Sequence, residues 1–234
     1  MEKGKLYLIP CPIGEVDPIN CLPAHNFEII HSIKYYLAEN EKHCRAFLKQ
    51  CKIPVPLSEI SVLPINNHTD PAEYSEMMNP LMQGNDVGII SEAGCPGIAD
   101  PGAEIVRIAH QKKIQVVPLV GPSSILLSIM ASGFNGQAFT FNGYLPKEQK
   151  DRIKKLKDME ISAMKNITQI FMDTPYRNKH VVDDLMKNLN PNTKLCIATE
   201  INTPLENIKT MPVSEWKKQI PPIEKKNCLF LLGQ

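Results

Sequence analysis

One loop of this sequence combines glycine and proline in a pattern suited to ligand binding. It runs from Ser91 to Gly102 and directly follows the apolar run Val87–Ile90. Its glycines, among them Gly94 and Gly97, permit backbone conformations and close approaches that other residues resist. Its prolines stiffen the loop and lower the entropy lost on binding. Because neither a GxxxxGK[ST] phosphate loop nor a GxGxxG after the first strand is present, we expect a neutral or zwitterionic ligand held by main-chain groups.

Two further loops of the same kind, at 10–14 and 118–124, follow the strand candidates Leu6–Ile9 and Gln115–Val117. Short apolar strands alternate with helices through the first half of the chain, which predicts a mainly parallel sheet. Ligands of such sheets bind outside the carboxyl ends of the strands, so all three loops should lie at one edge. One such loop could equally be a turn without a ligand, but three at one edge favour a pocket.

The second half has a different organisation. Its strand candidates, at 139–144, 168–172, 194–199, 208–211 and 228–232, follow one another with fewer long crossovers, which predicts a mixed sheet. The predicted fold class is therefore α/β, with an N-terminal α/β domain over residues 1–120 and a C-terminal α/β domain over residues 121–234. A helix beginning at Asp70-Pro71 is expected in the first domain, with Asp70 as its N-cap.

Composition excludes several classes of protein. The 234 residues carry a net charge of +1, so any contact with nucleic acid would come from a local patch. The seven cysteines form no CxxC pair and no zinc-ligand spacing, so no metal is expected. No signal peptide is recognisable and no apolar run approaches the ~20 residues that span a bilayer. We therefore expect a cytoplasmic protein with free thiols and no membrane partner.

Five segments of the chain resemble the tetrapyrrole methylase superfamily, and within it the ribosomal RNA small-subunit methyltransferase I branch. They are Leu6–Gly14, Ser91–Gly102, Val116–Ser124, Phe141–Lys147 and Ala198–Glu200. The resemblance covers nearly the whole chain in order. It implies a methyltransferase dependent on S-adenosyl-L-methionine, with the cofactor in a cleft between two α/β domains and with a homodimer as the usual assembly. The branch methylates a ribose 2′-hydroxyl of a cytidine in small-subunit ribosomal RNA.

The resemblance also implies individual cofactor contacts. By position they are Ile13, Gly94, Cys95, Ile98, Ser123, Ser124 and Met172. Gly94 would allow close approach, Met172 would pack on adenine, and the two serines would lie at a helix N-terminus suited to a carboxylate. In the alternative interpretation, Ile13, Ile98 and Met172 belong to the core and Ser123 only caps a helix.

The substrate side departs from the branch, which has Glu-Asp-Thr-Arg-His where this chain has Glu39-Asn40-Glu41-Lys42-His43. Glu39 and His43 are retained, and in a helix they would share one face, where the carboxylate could orient an imidazole that takes a proton from a hydroxyl. A surface pair without a catalytic role is the alternative. Basic residues of the branch are also replaced, by Thr199 and Thr203, which weakens the assignment of an RNA substrate.

A basic segment could compensate for those losses. Between 147 and 165 there are seven basic and four acidic residues: Lys147, Lys150, Arg152, Lys154, Lys155, Lys157 and Lys165 against Glu148, Asp151, Asp158 and Glu160. Lys147 and Arg177 are the substrate-binding candidates, although a charged run on a helix is often only solvated. Three functions stay open: an RNA 2′-O-methyltransferase, a methyltransferase of a small molecule such as a tetrapyrrole, and a divergent member that binds the cofactor with weak catalysis.

Overall fold

The computed structural model describes residues 2–65, 74, 76–100 and 102–234. The chain divides into two compact units, Met1–Ser123 and Ser124–Gln234. The expected helix start at Asp70-Pro71 lies outside the described residues, as does Pro101 of the glycine-rich loop. Among the residues described, no helix is long and apolar enough to cross a membrane.

The first unit is built on a parallel sheet. Its five strands are β1 (Leu6–Ile9), β2 (Tyr35–Ala38), β3 (Ser61–Pro64), β4 (Val87–Ile90) and β5 (Val116–Pro118). Their order is β3-β2-β4-β1-β5, and every pair is parallel. The described α-helices are α1 (Ala24–Ser32), α2 (Glu41–Gln50), α3 (Asn79–Met82) and α4 (Ala103–Gln111).

Both faces of this sheet are buried, which explains why its central strands are apolar throughout. Successive residues of a strand point to opposite faces. In β1, Tyr7 and Ile9 pack with α1 and α2, whereas Leu6 and Leu8 pack with α3 and α4. Two apolar cores therefore hold the sheet, and its carboxyl edge is left to the loops that follow the strands.

The second unit has the expected mixed sheet. Its strands are β6 (Phe139–Tyr144), β7 (Thr168–Met172), β8 (Lys194–Thr199), β9 (Asn207–Pro212) and β10 (Cys228–Gly233). The order is β6-β7-β10-β8-β9, in which only β6 and β7 pair in parallel. The helices are α5 (Ser124–Ser132), α6 (Gln149–Met164), α7 (Asn178–Asn188) and α8 (Val213–Trp216). The prediction of two α/β sheets, one parallel and one mixed, is confirmed.

Candidate functional site

Three loops meet at the carboxyl edge of the first sheet. Cys11, just after β1, and Gly94, after β4, exchange two backbone hydrogen bonds of 2.9 and 3.1 Å. The thiol of Cys95 donates to the carbonyl oxygen of Pro122, in the loop after β5, at 3.4 Å. The hydroxyl of Ser91 donates to the carbonyl of Gly94 at 2.7 Å and fixes the start of the middle loop. The pocket loops predicted from the sequence are therefore physically joined.

Two glycines make this convergence possible. Gly94 has a φ of +72°, in the left-handed region, and a Cβ there would lie 3.5 Å from the carbonyl oxygen of Pro122. Gly121 lies against Pro10, where an added Cβ would approach the proline Cβ to 2.3 Å. The first and third loops are thus in direct contact at a position that accepts only glycine.

The tip of the middle loop is held in an unusual backbone conformation. Gly97 and Ala99 have φ angles of +78° and +58°, the latter in a region that residues with a Cβ seldom adopt. The side chain of Ile98, between them, is 53% exposed. Ile98 is thus not a core residue, and the alternative interpretation that placed it in the core is wrong. An exposed apolar side chain on a stiff turn can contact a ligand.

An open cavity of about 670 Å³ borders these loops within the first unit. It is lined by Cys11, Pro12, Gly14, Glu15, Val16, Asp17, Pro18, His43, Ala46, Phe47, Gln50, Glu92 and Ala93. This volume lies in the range of roughly 300–1,000 Å³ typical of small-molecule sites. The predicted catalytic residue His43 therefore shares a cavity with the first and middle loops. Ile13 is partly buried in the turn between the lining residues Pro12 and Gly14.

Carboxylates gather at the same edge. Glu39 follows β2, and both Glu92 and Asp100 follow β4, its neighbour in the sheet. Burial, reinforced by the charges of Glu39 and Glu92, raises the pKa of Asp100 to about 7. Burial and the charge of Glu92 also raise the pKa of Glu39 above its ordinary value. A carboxyl group with a pKa near neutrality can hold or release a proton under physiological conditions.

The predicted pairing of Glu39 with His43 on one helical face is wrong. Helix α2 begins at Glu41, and Asn40 is its extended N-cap, accepting a hydrogen bond from the backbone N–H of His43 at 3.1 Å. Glu39 therefore precedes the helix and lacks the helical geometry that the pairing required. The change from Asp to Asn at position 40 is mild here, since both residues are good N-caps.

Ser123 and Ser124 lie where the first unit ends and the second begins. Ser124 is the first residue of α5, and both serines are partly buried. A helix N-terminus favours an anion, which is the chemistry expected of these two residues. Their contact with a cofactor stays a prediction.

In the second unit, the remaining site candidates share the carboxyl edge of the parallel pair. Met172 ends β7 and is in register with Tyr144, which ends β6. The guanidinium of Arg177 donates to the carbonyl of Pro146 at 2.8 Å and forms a 3.3 Å ion pair with Asp173. These internal contacts occupy much of the guanidinium of Arg177. The side chain therefore fixes the position of the loop after β6. Lys147, in that loop, is exposed.

Arg152 is not available for a phosphate contact. Its side chain is 7% exposed, and its Nε lies 2.7 Å from Asp184, whose side chain is 3% exposed. The same guanidinium donates to the carbonyls of Pro146 and Lys147 at 3.2 and 2.8 Å. The basic segment therefore has six candidates for an external anion rather than seven.

Curated relatives identify the class of protein. Ribosomal RNA small subunit methyltransferase I of Pasteurella multocida (strain Pm70) is 30% identical over 205 residues, which cover 88% of this chain and 69% of that protein. The protein of the same name from Vibrio cholerae serotype O1 is 28% identical over 210 residues, or 90% of this chain and 69% of that protein. The chain belongs to the ribosomal RNA small subunit methyltransferase I family. It is a methyltransferase of the class that depends on S-adenosyl-L-methionine.

Solved structures agree with the wider family. A cobalt precorrin-4 methyltransferase, a cobalamin biosynthetic enzyme, superposes with a TM-score of 0.64 over 98% of this chain and 94% of that chain, at 14% identity. At that identity the likeness concerns the fold, which is that of the tetrapyrrole methylases. No protein-family model matches the chain.

The geometry of the first unit fits a methyltransferase cofactor. The glycines at 94, 97 and 102 leave main-chain groups uncovered by side chains, and Ile98 offers an exposed apolar surface. Sequence reasoning missed Asp100 and Glu92 as ionisable groups of this edge. Their positions after β4 would have indicated them, had the pairing of β4 with β2 been readable from the sequence.

Proposed function

We propose that this protein transfers a methyl group from S-adenosyl-L-methionine to a ribose 2′-hydroxyl of small-subunit ribosomal RNA. Relatives named ribosomal RNA small subunit methyltransferase I match about nine-tenths of the chain, and this similarity supports the choice of the methyl acceptor. The three loops joined at Gly94 and Cys95 support the location of the cofactor. Bound there, the cofactor supplies an electrophilic methyl group on a good leaving group.

The loops of the first unit would hold the cofactor through the residues the sequence predicted. Gly94, Cys95 and Ile98 belong to the middle loop, Ile13 to the first and Ser123 to the third. Because hydrogen bonds join these loops, their main-chain groups are ordered before binding, which lowers the entropic cost of association. Ser124 and Met172, in the second unit, are proposed for the carboxylate and the adenine respectively.

The acceptor hydroxyl needs help in losing its proton. We assign this to the acidic edge, where Glu39 and Asp100 have raised pKa values, with His43 in the adjoining cavity as the other candidate. A base with a pKa close to the working pH is the most effective. If His43→Ala, Glu39→Gln and Asp100→Asn all keep full activity, this assignment is wrong.

The decisive experiment has two stages. Calorimetry with S-adenosylhomocysteine should show binding near one per chain, and no binding would refute the cofactor site. Labelled S-adenosyl-L-methionine is then offered with unmodified 30S subunits, naked ribosomal RNA and porphyrinoids. We expect label in the 30S RNA at a nucleotide that resists alkaline cleavage, because a methylated 2′-hydroxyl cannot attack the neighbouring phosphate.

The other outcomes correspond to the other functions. Label in a porphyrinoid alone would favour a small-molecule methyltransferase, in keeping with the fold of the cobalt precorrin-4 enzyme. Tight binding without turnover on any acceptor would favour a member with weak catalysis.

We also propose a cytoplasmic homodimer. All seven cysteines are free thiols, as is usual in a reducing compartment. In α5, the side chain of Met130 is 77% exposed, and an exposed apolar surface can serve as the contact face for a partner. Light scattering should give twice the mass of the chain, and a monomer would contradict the proposal.

A further inference from the structure

The outward face of α6 carries a row of lysines. Lys150, Lys154 and Lys157 are exposed and recur at intervals of four and three residues, which places them on one side of the helix. The opposite side is buried through Arg152, Leu156, Met159 and Ala163. At 1.5 Å per residue, the row extends about 10 Å along the helix axis.

These lysines are not neutralised by ion pairs. Elsewhere on the surface, Arg45 pairs with Glu41, and Arg107 pairs with Glu104. In contrast, no described residue forms an ion pair with any lysine of the row, and the exposed Asp151 and Asp158 lie beside it on the same helix. The protein therefore presents an unpaired positive row although its net charge is only +1.

The row is fixed to the edge that carries the predicted substrate residues. Asp184 of α7 accepts hydrogen bonds from Arg152 at 2.7 Å and from Gln149 at 2.9 Å. The guanidinium of Arg152 also donates to the carbonyl of Lys147 at 2.8 Å. Because Lys147 lies in the loop after β6, the row begins at that strand's carboxyl end and leads away from it along α6.

Resting on the proposed function, we infer that Lys147, Lys150, Lys154 and Lys157 form a docking surface for the phosphate backbone of the RNA. A small anion would need cations that converge in a concavity, whereas this row is linear and lies on a convex helix face. Successive lysines are about 6 and 4.5 Å apart along the axis, so each side chain can reach a separate phosphate of an extended strand. Phosphate contacts of this kind position an RNA without reading its sequence.

The test removes the three helical charges together, as Lys150→Gln, Lys154→Gln and Lys157→Gln. We expect KM for the 30S subunit to rise about 10-fold, and the slope of log affinity against log salt to fall by about 2, since each contact contributes about 0.7 for a single strand. The turnover at saturating substrate and the affinity for S-adenosylhomocysteine should not change. Arginine at the same three positions keeps the charge and should restore KM.

A matched control removes three exposed lysines from other elements of the same unit, Lys187, Lys209 and Lys218. The inference is overturned if the α6 variant and this control have the same KM and salt slope while the parent protein methylates the subunit. A parent protein that binds S-adenosylhomocysteine but methylates no ribosomal RNA would contradict the proposed function itself, so the two failures are distinguishable. Thermal unfolding checks that both variants are folded.

Discussion

Replacing Arg152 by Met should strongly destabilise the second unit. The carboxylate of Asp184 is almost fully buried, and its two oxygens accept 2.7 and 2.9 Å hydrogen bonds from Arg152 and Gln149. Met retains an apolar stem of similar length but leaves a buried negative charge with one neutral donor. Breaking a buried ion pair in this way costs about 3–5 kcal/mol. That loss should lower the midpoint of thermal unfolding by on the order of 10 °C.

A substitution of Asp184, the other member of the ion pair, provides the control. Adding Asp184→Leu to Arg152→Met removes the stranded charge, so the double variant should be more stable than the single one, although it has lost both partners. Arg107→Met breaks an exposed ion pair with Glu104 and should leave the midpoint nearly unchanged. Both variants are measured by circular dichroism against temperature. A single variant that loses less than about 1 kcal/mol, or a double variant less stable than the single one, would refute the reasoning.

Two further predictions concern the first unit. The pKa of Asp100 rises from 3.8 to about 7 on folding, so the wild type should lose stability as pH increases from about 4 to 7 and stay at the lower level above 7. Asp100→Asn should flatten this dependence in midpoints recorded from pH 4.5 to 8.5, and parallel curves for the two proteins would show that the carboxyl group is not perturbed. Gly121→Ala places a Cβ 2.3 Å from the Cβ of Pro10 and should weaken binding of S-adenosylhomocysteine in calorimetry. Gly136→Ala, where nothing lies within 4 Å, is the control, and equal affinities in the two variants would contradict the proposed packing of the loops.

Some strands of the first sheet can be predicted from short apolar runs alone. The bounds of β1 and β4 agree with prediction because each strand is a short apolar run ended by a polar or proline residue. β3 was missed because only Val62 is buried in it and Pro64 ends it, which gives neither an apolar run nor a clear alternation. A strand with a single buried residue is therefore harder to predict from local patterns than a strand that is apolar throughout.

Only part of the candidate site could be predicted from local sequence patterns. Glycine and proline mark the three loops, and their convergence follows from the general behaviour of parallel sheets. The grouping of Glu39 with Asp100 depends on β2 lying next to β4, and strand order is set by long-range packing that a local pattern does not contain. The Glu39–His43 pair failed for a local reason, because Asn40 ends the extended segment and the helix begins at Glu41, two residues after Glu39.

The surroundings of Thr199 and Thr203 show how much the replacement of the branch's basic residues matters for RNA binding. Thr199 is 2% exposed and its hydroxyl donates to the carbonyl of Asn207 at 3.2 Å, while the hydroxyl of Thr203 donates to Glu200 at 2.8 Å. The position of Thr199 is therefore enclosed by β8 and β9, and a basic side chain there would have needed a buried partner to offset its desolvation. The absence of a basic residue at position 199 therefore removes no exposed cation from this chain. An RNA backbone would consequently have to be held by charges elsewhere, and unpaired lysines that begin at a strand's carboxyl end, as in α6, meet that requirement.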